Sequence, residues 1–181
     1  PGNIYATYGM TETLSHIALR KLNGPERSEL FCPLNDISIR KTSDGTLAIN
    51  DPQTNPCEII TNDLVEIAPN GLFRILGRKD NVVNSGGIKL QLEELEQRLT
   101  SLSVSDYILT YVNHEQYGQA LTLLYTGEVN VETINLQINK LLSSKSKTKY
   151  IFKVNTIPRT QTGKPARNEA HILAEHQLQT M

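Results

Sequence analysis

Gly77-Arg78-Lys79-Asp80-Asn81, then Ser85-Gly86-Gly87-Ile88-Lys89, then Glu93-Glu94-Leu95-Glu96: the periodicity of the 181-residue chain changes across this stretch. Upstream, short apolar runs alternate with turn signals. Ile4 to Thr7 reads as the end of a strand running into a turn at Gly9. Residues 36–49 read as two strands around Ser43-Asp44-Gly45, and residues 51–56, with two prolines, as a loop. Residues 58–60, 64–67 and 72–76 make further short strands, the last two separated by the turn Pro69-Asn70-Gly71. This part reads as all-β, in the manner of a small barrel. Downstream, Leu92, Leu95, Leu99 and Leu102 recur at helical spacing. Residues 107–112, 120–125 and 150–154 read as strands. Asn130 caps an expected helix with Val131, Ile134, Ile138, Leu141 and Leu142 on its apolar face. Pro165 is expected just inside a last helix through Ala166, Ala170 and Leu173. The fold class expected is α+β, with a β-rich part to about residue 77 and an α+β part after it.

Composition narrows the classes of function. Charged residues make up 20% and hydrophobic ones 38%, which argues against wholesale disorder. No apolar run reaches the roughly 18 residues of a membrane span, and the start, Pro1-Gly2-Asn3-Ile4, lacks the basic and apolar regions of a signal peptide. The missing initiator Met suggests a fragment or a processed form. Cys32 and Cys57 have no His or Cys at ligand spacing, so they read as ordinary thiols, a zinc site is not expected, and the expected localisation is cytoplasmic. Eight basic residues and no acidic one lie within 140–167, against ten basic and seventeen acidic residues in the first 139. Such a run can meet nucleic acid, a phosphorylated cofactor or a membrane surface, or it can be a solvated face. Its few aromatics, Tyr150 and Phe152, argue against base stacking.

Four segments carry chemistry. In Tyr8-Gly9-Met10-Thr11-Glu12, an aromatic ring, a hydroxyl and a carboxylate follow a flexible glycine. They could stack on a base, donate to a phosphate and hold a metal; a plain turn would read the same way. In Thr61-Asn62-Asp63, an Asp after a strand can accept from a ribose diol or simply stabilise a turn. The Gly86-Gly87 pair offers backbone freedom beside a ligand or hinge, and Glu93, Glu94 and Glu96 complement a helix start. In Pro158-Arg159-Thr160-Gln161-Thr162-Gly163-Lys164, a lysine on a mobile glycine-bearing loop can reach a phosphate. It is not a P-loop, since Gly-x4-Gly-Lys-Ser/Thr is absent.

In this order and spacing the segments resemble the acyl-adenylate-forming superfamily, whose members include acyl-CoA synthetases, peptide-synthetase adenylation domains and luciferases. Tyr8 to Glu12 is similar to its aromatic-Gly-x-Thr-Glu motif, and Thr61-Asn62-Asp63 to its Thr-Gly-Asp, with Asn62 in place of glycine. Residues 77–96 resemble its hinge and the loop after it, and residues 158–164 its C-terminal lysine motif. The likeness covers nearly the whole chain. Within the superfamily it runs towards the o-succinylbenzoate–CoA ligases of menaquinone synthesis, through Thr13 and Ser15 after the first motif, Asn81 after Asp80, and the short segment from Gly45 to Asp63. The family's phosphate loop and most of its acyl pocket lie upstream of the first motif. The resemblance therefore implies the end of a large domain at residues 1–79, a hinge at Asp80 and a mobile small domain at 80–181, and a chain that is inactive by itself.

It also implies roles. A carboxylic acid attacks the α-phosphate of ATP, and coenzyme A then displaces AMP. Lys164 bridges the phosphate and the attacking carboxylate, Thr11 donates to the phosphate, and Glu12 holds Mg²⁺. Tyr8 and Gly9 lie at the adenine, Asp63 takes the ribose hydroxyls with Arg78 beside it, and Gly86 and Gly87 line the coenzyme A channel. Asn84 stands where relatives often have Lys, so no charge role carries over there. The basic run gains a candidate partner in coenzyme A phosphates. Alternatives are an adenylation domain that loads a carrier protein and a nucleic-acid-binding module built on residues 140–167. The second explains none of the four motifs, so no nucleic-acid partner is expected. A strand edge near Ile4 invites homodimerisation.

Overall fold

A computed structural model describes residues 2–181. The chain forms two compact units, one ending at Asp80 and the other spanning Asn81–Met181.

The first unit is all strand and turn. Its strands are β1 (Tyr5–Gly9), β2 (His16–Lys21), β3 (Cys32–Pro33), β4 (Ser38–Lys41), β5 (Thr46–Asn50), β6 (Ile59–Ile67) and β7 (Phe73–Arg78). They make an antiparallel sheet in the order β1-β2-β3 and another in the order β4-β5-β6-β7, linked by a bridge between Phe31 and Phe73. Ile17, Ala18, Leu47, Ile49, Val65 and Phe73 fill the core that both sheets share. The turns at Ser43-Asp44-Gly45 and Pro69-Asn70-Gly71 form as the sequence leads one to expect: Gly45 donates to Thr42 O and Gly71 to Ala68 O.

Two expectations change here. Residues 58–60 and 64–67 are parts of one nine-residue strand, β6, with a register shift between Leu64 and Val65. Strands lie on both sides of it; its polar middle, Thr61-Asn62-Asp63, stays within the strand, and Asp63, paired with Arg78, sits inside a strand rather than after one. Past the turn expected at Gly9, strand β2, which the sequence reading leaves unassigned, pairs with β1 from Tyr5–Lys21 to Gly9–His16.

The second unit contains β8 (Val82–Ser85), β9 (Ile88–Gln91), α1 (Leu92–Arg98), β10 (Asp106–His114), β11 (Gly118–Thr126), α2 (Val131–Leu141), β12 (Tyr150–Lys153) and α3 (Arg167–Gln179). The sheet runs β10-β11-β8-β9, and β12 adds in parallel to β11. Alternation along β10 and β11 supplies two cores. Leu109, Leu121, Leu123 and Tyr125 pack with Leu92, Leu95 and Leu99, and with Ile134 and Ile138 of α2. Ile108, Val112, Ala120 and Leu124 face the other way, onto Ala170 and Ala174 of α3. Burial on both faces explains why β11 reads as an almost continuous apolar run. Asn130 caps α2 as expected, its Oδ1 accepting from Thr133 N at 2.9 Å. Leu99 and Leu102 are buried but lie past the end of α1.

Pro165 is not inside the last helix. It pairs with Arg159 in an isolated bridge, and α3 begins only at Arg167. The chain before α3 is a small hairpin: Thr160 N donates to Lys164 O at 2.8 Å and Ala166 N to Pro158 O at 3.1 Å. Among the described residues no helix is long and apolar enough to cross a membrane.

Candidate functional site

The first unit brings three of the expected residues together. Tyr8 on β1 donates its hydroxyl to Asp63 Oδ2 on β6 at 2.5 Å. Asp63 pairs in register with Arg78 at the end of β7, and Arg78 Nη1 lies 3.7 Å from Asp63 Oδ1. The Asp63 N–H donates to Thr61 Oγ1 at 3.0 Å. The Tyr8 ring meets Phe73 edge-on at 5.7 Å between centroids and lies 5.9 Å from Phe31. Burial of the phenol, reinforced by its hydrogen bond to Asp63, pushes its pKa far above the usual tyrosine range. Tyr8 is therefore a hydroxyl donor at any physiological pH.

The rest of the first motif is a single 3-10 turn, Thr11–Thr13. Thr11 and Glu12 are exposed, and Glu12 forms no ion pair among the described residues. Thr13, which carries no role in the sequence reading, shapes the turn: its hydroxyl is 2.7 Å from Ser15 O and 2.9 Å from Met10 O, and accepts from Met10 N at 3.1 Å. A Cβ on Gly9 would sit 2.5 Å from Ser15 O and 2.7 Å from His16 Cα. The glycine is thus required by an approach to its own chain at the shift in the β1–β2 register.

Asp80 follows β7 in a short 3-10 turn, and Arg78 grips it with Nε to Oδ1 at 2.9 Å and Nη2 to Oδ2 at 3.0 Å. The guanidinium holds the Asp80 carboxyl below the usual carboxylate range. The neighbouring Lys79 pairs with Asp44 at 2.6 Å, in the turn between β4 and β5.

The second unit holds the other expected residues. Gly86 and Gly87 form the two-residue turn between β8 and β9, with Ser85 paired to Ile88 and φ of +59° and +80°. Positive φ at both positions is what a tight hairpin asks for, and glycine meets it without strain. Gly86 N donates to Tyr117 O, which docks the turn on the β10–β11 hairpin.

Lys164 stands exposed on the hairpin before α3 and has no ion-pair partner among the described residues. That loop is held by several hydrogen bonds. Gly163 N donates to Thr160 O, Lys164 N donates to Thr160 Oγ1 at 3.1 Å, and Arg159 donates to Gly163 O and forks onto Asp106 of β10. On the other side, Arg167 donates Nη2 to Glu96 Oε2 at 2.7 Å, and Nη1 to both Glu96 Oε1 and Leu109 O at 2.9 Å. Asp106 and Glu96 as clamp partners lie 53 and 71 positions from their arginines, beyond any local pattern. Within the basic run, Lys153, Arg159 and Arg167 are spent on ion pairs with Glu128, Asp106 and Glu96. Lys149 lies over the Tyr117 ring at 5.6 Å. The two cysteines are free and exposed.

No cluster of three His, Cys, Asp or Glu side chains occurs among the described residues. A single exposed carboxylate such as Glu12 fits Mg²⁺, which takes one or two carboxylates together with substrate phosphates rather than an all-protein cage.

No family model matches the chain. Among curated proteins, 2-succinylbenzoate–CoA ligase of Lactococcus lactis is 24% identical over 92% of this chain and 41% of its own length. Gramicidin S synthase 2 of Brevibacillus brevis is 28% identical over 59% of this chain, a stretch that is 2% of that protein. In fold, the chain matches o-succinylbenzoate coenzyme A synthetase from Bacillus subtilis, solved in complex with ATP and magnesium ion, with TM-score 0.77 and 19% identity over 92% of this chain and 41% of that one. The chain thus spans about two fifths of the ligases it matches along nearly its whole length. Along nearly its whole length the chain is thus similar in sequence to a 2-succinylbenzoate–CoA ligase, and it shares its fold with an o-succinylbenzoate coenzyme A synthetase.

Proposed function

We propose that the chain is the C-terminal part of an AMP-forming acid–CoA ligase: the end of a large nucleotide-binding domain up to residue 79, a hinge at Asp80, and a small domain over 80–181. The observation that carries this reading is the pairing, on one chain, of a half-buried Tyr8–Asp63 pair flanked by the exposed Arg78 with an exposed lysine that has no ion-pair partner among the described residues, on a clamped hairpin. The first suits a nucleoside, the second a phosphate.

Two half-reactions follow. Carboxylate attack on the α-phosphate of ATP gathers negative charge around phosphorus, which calls for positioned cations and donors more than for proton transfer. Lys164 supplies the cation between phosphate and attacking carboxylate, and Thr11 a donor. Asp63 accepts from the ribose hydroxyls, and the edge of Tyr8 and the backbone at Gly9 lie beside the adenine. Glu12 would hold Mg²⁺, which when bound offsets phosphate charge. In the second half-reaction coenzyme A displaces AMP, and the turn at Gly86 and Gly87 borders the channel for its pantetheine arm.

Among acids we favour o-succinylbenzoate, because the relative aligned over nearly the whole chain bears that name. The test is AMP release and CoA-thioester formation by the full-length ligase of which this chain is the C-terminal part, with o-succinylbenzoate against a panel of carboxylic acids. Preference for o-succinylbenzoate supports the assignment; turnover of a different acid keeps the ligase and discards the substrate; no AMP release with any acid overturns both. A second reading, an adenylation domain that loads a carrier protein, is favoured by the match to gramicidin S synthase 2. Release of a free CoA thioester decides against it.

A further inference from the structure

The Tyr8 hydroxyl is committed within the protein, and the manner of its commitment bears on nucleotide choice. We propose that Tyr8 is a positioning residue whose hydroxyl fixes the Asp63 carboxylate to receive a ribose diol, and so sets selectivity for ribonucleotides over deoxyribonucleotides. The inference rests on the nucleotide reading of Asp63 given above.

The geometry fixes the phenol at both ends. Phe31 and Phe73, stacked on one another at 5.6 Å, hold the ring from behind. Strand pairing of Tyr8 with Ala18 holds its backbone. The hydroxyl therefore ends at a set point, 2.5 Å from Asp63 Oδ2. The Asp63 side chain is only 13% exposed, so little water is present to compete for its orientation. A carboxylate offers about four lone-pair sites. Tyr8 occupies one on Oδ2, and Arg78 faces Oδ1 at 3.7 Å, near enough to draw that oxygen towards it. Among the described residues this leaves at least one open site on each oxygen, the arrangement that accepts two neighbouring hydroxyls at once. Without the phenol, the carboxylate can turn about its Cβ–Cγ bond and present a single oxygen. Recognition of the second hydroxyl is then lost, while base and phosphate contacts persist.

Tyr8→Phe removes the hydroxyl and keeps the ring against Phe31 and Phe73, so it isolates the effect. The measurement is the Kd of the protein for AMP, 2′-deoxy-AMP and 3′-deoxy-AMP. Wild type is expected to prefer AMP over both deoxy forms. In Tyr8→Phe, AMP binding weakens about tenfold, the size of one hydrogen bond to a charged group, while the deoxy forms change little, so the preference collapses. A merely structural tyrosine would weaken all three alike, or lower stability and leave the ratio intact; either result overturns the inference. A wild type without ribose preference overturns the Asp63 assignment together with it. The coupling itself is read without nucleotide, by ultraviolet titration of tyrosine: Asp63→Asn should bring the Tyr8 ionisation down. An unchanged titration shows that the two groups do not communicate and sinks the proposal independently of what the protein binds.

Discussion

Tyr8 is the residue at which sequence motif, packing and chemistry meet, and it makes a prediction about pH. An unfolded tyrosine ionises near 10.0, whereas burial first, and then the bond to Asp63, keep the Tyr8 phenol protonated well above that pH. Below pH 10 both states carry the proton and the bond's stabilisation is fully present. As pH rises through the unfolded value, only the unfolded chain loses its proton, so stability falls. Urea unfolding at pH 9 and above should show this decline, and Tyr8→Phe should make it shallower; equal slopes would contradict the buried bond. Gly9 carries the second prediction at this scale. Its missing Cβ leaves room for Ser15 O at the register shift. Gly9→Ala forces backbone apart and should cost about 1–3 kcal/mol, as overpacking does, read from the same unfolding curves. The motif marks this glycine in the sequence, but the reason for it belongs to strand pairing that no local pattern reveals.

Elements with a local cause were legible and those held from afar were not. The α2 cap at Asn130, the turns at Gly45 and Gly71, and strands β10 and β11 all follow from nearby residues. The helix through Pro165 did not form there, because a hairpin pins that proline against Arg159. The same hairpin carries Lys164, and its clamps reach Asp106 and Glu96, far away in sequence. Arg167→Met would leave Glu96, 20% exposed, without its cation and holding only the Leu109 N–H. It should lower stability by about 2–3 kcal/mol, somewhat less than loss of a fully buried pair. Arg40→Met, at an exposed pair with Glu58, should leave stability close to wild type and serves as the control. Equal effects in the two variants would show that the Glu96 clamp contributes nothing special. At the β8–β9 turn, Gly87→Leu places a side chain at φ +80° and should cost about 1–2 kcal/mol. Gly87→Asn tolerates that conformation and should keep stability. If the turn borders the coenzyme A channel, both substitutions slow thioester formation and spare adenylation; equal loss of both half-reactions would argue against that placement.

At the scale of the whole molecule, the nucleoside-type cluster and the lysine hairpin belong to different compact units, with the boundary directly after Asp80. The candidate site was legible as four motifs in order; what the motifs do not show is that Tyr8 serves Asp63 or that arginines brace Lys164. Division of labour between units is the central claim, since it lets one half-reaction fail while the other continues. The measurement that tests it most directly is Lys164→Ala in the proposed full-length ligase, with the two half-reactions followed separately: acid-dependent exchange of pyrophosphate into ATP, and thioester formation from supplied acyl-adenylate and coenzyme A. Loss of a cation aimed at transition-state charge should slow adenylation by about 10²–10³-fold and leave thioester formation near the wild-type rate. Near-wild-type pyrophosphate exchange, or an equal loss in both half-reactions, would contradict the account.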